Sequence, residues 1–225
     1  MALTPPGAVV WDMDGTLVDT ADLHFAAWVQ LAQELDRTFT RADFAATFGR
    51  RNPEILRYLF GDHLTDPEVA GLGERKENYY RSAAQHGVEL LPGVRSLVEA
   101  LHAAGFKQAI GSSAPRGNLD LILQLTGIKP YLEAIVAMED TQRGKPDPQV
   151  FLVAAFKLGV PPARALVLED AVAGVEAAKA AGMRCIAVTF VGHHSADRLK
   201  AAGADLVVPT LEQVSVQTVR GLLGV

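Results

Sequence analysis

Past residue 88 the chain alternates short apolar runs with stretches whose apolar residues recur at helical spacing, which predicts a parallel sheet with crossover helices. The runs Gln108–Gly111, Ala134–Ala137, Ala165–Leu168, Cys185–Val188 and Leu206–Val208 read as strands, and Ala8–Trp11 (AVVW) joins the same sheet. Between them Val94–Ala103, Leu119–Thr126, Gln149–Leu158 and Val172–Ala181 read as helices. Gly105, Gly127, Gly159 and Gly182 fall where those helices should stop. Gly174, Ala178 and Gly182 give the last of them a small-residue face, suited to close packing on the sheet. The predicted fold class is α/β, a Rossmann-like parallel sheet flanked by helices.

Residues 20 to 88 break the alternation: Leu23–Leu35, Arg41–Thr47, Pro53–Phe60 and Pro67–Gln85 read as consecutive helices without a convincing strand. Four helices are too many for one crossover, so they should form a small bundle of their own. The predicted division is a core of residues 1–19 and 89–225 and a helical insert of residues 20–88. The joints fall near Asp19–Thr20 and Val88–Gly93, where Pro92–Gly93 supplies turn chemistry.

Composition narrows the function classes. With 225 residues the chain can bury a full core. Its 21 basic and 26 acidic residues leave a net charge of -5, which argues against nucleic acid or anionic membrane as main partners. The single cysteine, Cys185, suits a reducing compartment, and its apolar strand reads as the setting of an inert buried thiol. MALTPPG has neither the basic head nor the apolar stretch of a signal peptide, and no run approaches membrane-spanning length. A cytoplasmic, monomeric enzyme with a small-molecule partner is expected.

The chemistry concentrates at predicted strand ends. DMDGTLVD, residues 12–19, follows the first strand and puts Asp12 and Asp14 on one side of an extended chain, with Gly15 to turn it. Two close carboxylates repel unless a cation or a shared proton lies between them. The pair therefore asks for a metal, a proton-transfer role, or both. Ser112, in GSSAPRGN, follows the strand ending at Gly111 and precedes a helix, where a hydroxyl and free backbone N–H groups suit a phosphate oxygen; a plain helix cap is the competing reading. Lys145, in RGKPDPQVF, is confined by Pro146 and Pro148 and can neutralise a phosphoryl group and an aspartate together. Glu169 and Asp170 follow the strand ALVL, as a helix cap or as carboxylates for a hard cation such as Mg2+. His193 and His194, in VGHHSAD, read as a surface loop, and Trp11 and Trp28 as packing near the joint.

The order and types of these sites resemble the four motifs of the haloacid dehalogenase superfamily of phosphotransferases, and the inserted helices resemble that superfamily's small four-helix cap. The resemblance implies Asp12 as nucleophile, Asp14 as general acid/base and Ser112 and Lys145 as phosphoryl-holding groups. It implies Mg2+ held by Asp12, Asp170 and Glu169, with Asp14 contributing its backbone carbonyl. Attack by Asp12 would form an aspartyl-phosphate, which water hydrolyses in a phosphatase and a sugar hydroxyl accepts in a mutase. A phospho-accepting signalling domain is the non-enzymatic alternative; it has no use for the helical insert or for Asp14.

Within the superfamily the chain resembles β-phosphoglucomutase and its allied sugar phosphatases. DTADLHFAAW, residues 19–28, is similar to the mutase hinge and first cap helix; His24 matches a proton-transfer histidine there, and Thr20 sits at the hinge. Lys76, in RKENYY, matches a specificity lysine, with a solvated helix lysine as the alternative. In FGRRNPEIL, residues 48–56, Asn52 stands where the mutase has the arginine that holds the non-transferring phosphate; Arg50 and Arg51 are candidate substitutes. Ser113 and Arg116 complete the substrate-side set, Arg116 falling near a mutase lysine for the distal phosphate. A phosphatase acting on a small phosphorylated metabolite, most of all a sugar phosphate, is the first expectation and the mutase the second.

Overall fold

Val9 and Trp11 point to one side of the first strand, β1 (Ala8–Trp11), and Ala8 and Val10 to the other, and all four are fully buried. A strand covered on both faces cannot alternate apolar with polar residues, which is why AVVW is continuously apolar. The computed structural model describes residues 5–47 and 49–225, so the first four residues of MALTPPG and the first of FGRRNPEIL lie outside the described residues. Five further strands follow: β2 (Lys107–Gly111), β3 (Ala134–Val136), β4 (Ala165–Glu169), β5 (Arg184–Val188) and β6 (Leu206–Val208). All pairs are parallel and the order is β3-β2-β1-β4-β5-β6. From β1 the chain winds outward on one side through β2 and β3, then crosses to β4 and winds outward on the other. The crevice at the carboxyl ends of β1 and β4 is the topological switch point, where open α/β sheets bind ligands.

The two faces differ in side-chain size. Trp11, Ile110, Leu166, Leu168 and Ile186 pack beneath the helices α5 (Val94–Ala103), α6 (Arg116–Thr126) and α10 (Val216–Leu223). On the other face Ala8, Ala109, Ala165, Cys185 and Ala187 meet α7 (Gln149–Leu158), α8 (Val172–Ala180) and α9 (Ala196–Ala201). Small residues there let these helices approach the sheet closely. Cys185 is buried and free, and burial raises its pKa, so the thiol is inert.

The predicted strands and helices occur with ends shifted by a few residues at most. Two helices were not anticipated, α9 and α10. Both are short, and each starts at a serine whose Oγ accepts a backbone N–H, Ser195 from Arg198 and Ser215 from Thr218. Among the described residues no helix is long and apolar enough to cross a membrane.

Between β1 and α5 stand α1 (Ala21–Glu34), α2 (Arg41–Thr47), α3 (Asn52–Phe60) and α4 (Asp66–Ala84). They have their own apolar cluster, with Trp28, Leu31, Phe39, Phe44, Ile55, Leu56 and Val69 buried in it. The strands of chain entering and leaving this insert pair with each other: Val18 bridges Leu90, and the Leu91 N–H donates to Leu17 O at 2.9 Å. The insert is thereby hung from the sheet beside the switch point.

Candidate active site

Asp12 is the first residue past β1, and its N–H continues the ladder by donating to Leu168 O at 2.9 Å. This places its carboxylate at the mouth of the crevice beside Glu169 and Asp170, which end and follow β4. Three buried carboxylates of Asp12, Glu169 and Asp170 come within 4.8 Å of one another. The cation among them is Lys145, 4% exposed, whose Nζ donates to Asp12 Oδ1 at 2.5 Å and to Glu169 Oε1 at 2.7 Å. Burial works against the ammonium, but Asp12 and Glu169 outweigh it and raise the Lys145 pKa.

One lysine does not neutralise three acids. Burial pushes the Asp12 carboxyl up to about 7 against the pull of Lys145, with Glu169 and Asp14 adding to the rise. Burial, then Glu169 and Asp12, raise Asp170 as well. Asp170 Oδ1 is buried with no hydrogen-bond partner. A hard divalent cation fits that set, since it binds carboxylate oxygens and its charge opposes both the burial and the repulsion that raise these two groups. Asp12 and Asp170 would hold it. Glu169, the third carboxylate of the group able to hold a metal, also braces the site: its Oε2 accepts the N–H groups of Asp170 at 2.7 Å and Ala171 at 2.6 Å, while Oε1 is on Lys145.

Two glycines make room for this cluster. At Gly15, with φ +88°, a Cβ would lie 2.2 Å from Asp170 Oδ2. At Gly174 a Cβ would lie 1.7 Å from Glu169 Oε1. Gly174 thus accommodates Glu169 rather than the sheet, and nothing lies within 4 Å of the Cβ position at Gly182, so of the expected small-residue face Ala178 alone packs in the cluster against the sheet.

Asp14 turns away from the acids toward the insert. Its Oδ1 accepts from Thr20 Oγ1 at 2.5 Å and faces His24 Nε2 at 3.3 Å. Burial raises its pKa, but His24, Thr20 and Lys76 outweigh that and hold the carboxyl below its usual range. Lys76 Nζ lies 2.7 Å from His24 Nδ1, and an ammonium can only donate, so the network assigns Nδ1 as acceptor and puts the proton on Nε2, facing Asp14. The His24 ring stacks on Tyr80 at 4.0 Å with 8° between planes. Lys76 is no solvated helix lysine; it is buried, and its Nζ also donates to Glu77 Oε1 at 2.9 Å.

Glu77 carried no signal in the sequence reading. From α4 its Oε1 accepts from Asn52 Nδ2 at 2.7 Å, and its Oε2 accepts from Asn118 Nδ2, on α6, at 2.6 Å. Burial opposes the anion, yet Lys76, His24, Asn118 and Asn52 hold its pKa down at about 2. A carboxylate with a lowered folded pKa stabilises above its unfolded value of 4.5 and loses that contribution as the pH falls towards 2. The contribution is on the order of 3 kcal/mol. Glu77→Gln is therefore expected to be less stable than the natural protein by about that amount near neutrality, the gap closing below pH 4.5, as read by denaturant melts at a series of pH values.

One pocket is lined by Asp12, Asp14, His24, Ser112, Lys145 and Asp170 from this cluster, and by Arg50, Asn52, Lys76, Glu77 and Ser113 around it. Ser112 Oγ accepts the Ala114 N–H at 3.1 Å in the turn before α6, whose N-cap is Pro115, so Ser112 lines the pocket and does not cap the helix. Three of the anticipated substrate-side residues are not part of the pocket lining: Thr20 is held on Asp14, and Arg51 and Arg116 lie elsewhere. Arg51 is buried and spends its guanidinium on Thr141 O at 3.1 Å, the Thr141 hydroxyl and Arg143 O at 2.6 Å, so it ties the insert to the loop before Lys145. Arg116 pairs with Asp140 while its N–H donates to Glu139, because the loop after β3 brings those acids against the start of α6. Of His193 and His194, the first packs edge-on against Phe44, and neither belongs to the group of described residues able to hold a metal. Trp28 packs in the insert core and lines the pocket, whereas Trp11 donates to Gln108 within the sheet layer.

The family profile of haloacid dehalogenase-like hydrolases matches residues 9–188. The protein CbbY of Rhodobacter capsulatus is 33% identical over 222 residues, covering 94% of this chain and 96% of its own. A phosphorylated carbohydrates phosphatase of Thermotoga maritima is 30% identical over 209 residues, covering 93% and 97%. The crystal structure of a β-phosphoglucomutase from Clostridium difficile superposes with a TM-score of 0.88 at 26% identity, covering 97% of both chains. With a strand-end aspartate pair, a buried lysine and a second acid pair converging on the switch point, the chain belongs to the haloacid dehalogenase-like hydrolase family.

Proposed function

We propose that this hydrolase is a Mg2+-dependent phosphatase that cleaves a small phosphorylated metabolite, a sugar phosphate above all, through an aspartyl-phosphate on Asp12. The observation that carries the reading is the division of labour between the two aspartates: Asp12 lies against Lys145, and Asp14 against Thr20 and His24. Residues 20–88 act as its cap, supplying the second set of partners. Bound at Asp12 and Asp170, Mg2+ would offset charge on the phosphoryl oxygens.

Lys145 and Ser112 hold the transferring phosphoryl group while Asp12 Oδ attacks phosphorus in line and the bond to the leaving oxygen breaks. Asp14 gives its proton to that oxygen, releasing the alcohol. The ionised state that Thr20, His24 and Lys76 favour is the state Asp14 then occupies, ready to take a proton from the water that cleaves the acyl-phosphate. Phosphate leaves, and the proton taken from that water is the one Asp14 passes to the next leaving oxygen.

The mutase is the second reading, favoured by the Lys76–His24–Asp14 chain and by the likeness to β-phosphoglucomutase. Product analysis on a panel of sugar phosphates, including β-glucose 1-phosphate with and without a bisphosphate primer, separates the two. Inorganic phosphate and free sugar are expected, lost on chelation and restored by Mg2+. Glucose 6-phosphate without net phosphate release would overturn the phosphatase in favour of the mutase.

A further inference from the structure

The cap side of the pocket holds a carboxylate for which the reaction has no use. Glu77 is 2% exposed and receives hydrogen bonds from three elements, through Asn52 at the start of α3, Lys76 beside it on α4 and Asn118 on α6. We infer that Glu77 is a specificity-determining residue: with Lys76 it makes the cap side a receptor for the hydroxyls of an uncharged leaving alcohol and bars a second phosphate from that place. This rests on the phosphatase reading and supplies its substrate class, sugar monophosphates rather than bisphosphates.

Counting donors and acceptors supports it. An ammonium has three N–H groups, and Lys76 places two of them, on His24 and Glu77. A carboxylate offers about four acceptor positions, and three donors fill as many at Glu77. One donor remains on Lys76 Nζ and one acceptor position on Glu77 Oε2. A hydroxyl both gives and accepts a hydrogen bond and matches the two together; a phosphate dianion only accepts.

Charge points the same way. Glu77 offsets much of the charge on Lys76, so the buried lysine presents little net attraction to a second phosphate. Arg51 and Arg116 are committed to the core loops, and Lys145 lies between Asp12 and Glu169. Arg50 lines the pocket from an exposed position, where solvent screens it. A second phosphate beside Glu77 would meet a desolvated anion whose one buried cation, Lys76, is already paired with it.

The test measures binding to the inert Asp12→Asn protein by calorimetry, so that the fate of the phosphoryl group does not enter. The probes are two pairs, β-glucose 1-phosphate with β-glucose 1,6-bisphosphate and fructose 1-phosphate with fructose 1,6-bisphosphate. In each pair that binds, the monophosphate is expected to bind tighter by roughly tenfold or more, a margin typical of an unpaired charge in a buried site. Glu77→Gln in the same background should shrink that margin about tenfold, and Asn52→Arg should shrink it by adding a cation beside Glu77. A bisphosphate bound as tightly as its partner monophosphate overturns the inference, as does a margin unchanged in both variants. If Glu77→Gln does not fold, Asn52→Arg and the unsubstituted margin still decide. Isomerised ester in place of free phosphate, found with the natural protein, sinks the phosphatase reading separately.

Discussion

Asp12→Asn is expected to leave a folded protein whose phosphate release falls by roughly 10^4-fold or more, the scale seen when a covalent nucleophile is removed. An amide oxygen in the same place keeps the size of the side chain and the N–H of residue 12 on Leu168 O. What it lacks is the charge that attacks phosphorus. The neutral amide still accepts from Lys145 Nζ, whose position is also held by Glu169 at 2.7 Å, so the cluster has reason to stay assembled. Substrate binding then persists while turnover does not, and a KM close to the natural value with a collapsed kcat is the signature. Circular dichroism checks the fold and release of inorganic phosphate checks the rate. Retention of more than about a hundredth of the natural turnover would contradict attack by Asp12, because the oxyanion-type stabilisation left behind contributes less than that.

The core motifs were legible because each lies at the end of a buried strand. Continuous apolar runs mark β1, β2 and β4 without reference to contacts, and the residue that follows each run must emerge at the carboxyl edge of the sheet. Asp12, Ser112 and Asp170 are located by that rule alone, and Lys145 by the prolines around it. Glu77 escaped because its importance depends on Asn52 and Asn118, which come from helices 25 and 41 residues away in sequence. Nothing local distinguishes a glutamate on an amphipathic helix that faces water from one that faces a pocket. Arg51 and Arg116 show the same limit from the other side: both have the right charge and the right neighbourhood, yet carbonyls and acids of the core loops claim them first. Gly174 was recognised as small, but which neighbour needed the space became visible only when Glu169 folded back over the start of α8.

Gly174→Ala should therefore behave contrary to ordinary helix energetics. Alanine is the better helix former by about 1 kcal/mol, and Gly174 lies within α8. An added Cβ would sit 1.7 Å from Glu169 Oε1 and 1.9 Å from its Cδ, so the carboxylate must leave. Glu169 is 1% exposed and has no solvent to swing into. Its departure strips Lys145 of one of two anionic partners and leaves the N–H groups of Asp170 and Ala171 without their acceptor. Disrupting a buried, hydrogen-bonded ion pair costs roughly 3–5 kcal/mol, which outweighs the propensity gain. A lysine displaced by an ångström from the phosphoryl group also costs about 100-fold in turnover. Gly71→Ala in α4 is the control: nothing lies within 4 Å of its Cβ position, and it should stabilise by about 0.5–1 kcal/mol. Denaturant melts and initial rates on the two variants read both effects. A Gly174→Ala protein as stable and as active as the natural one would mean that Glu169 does not hold Lys145 from this side.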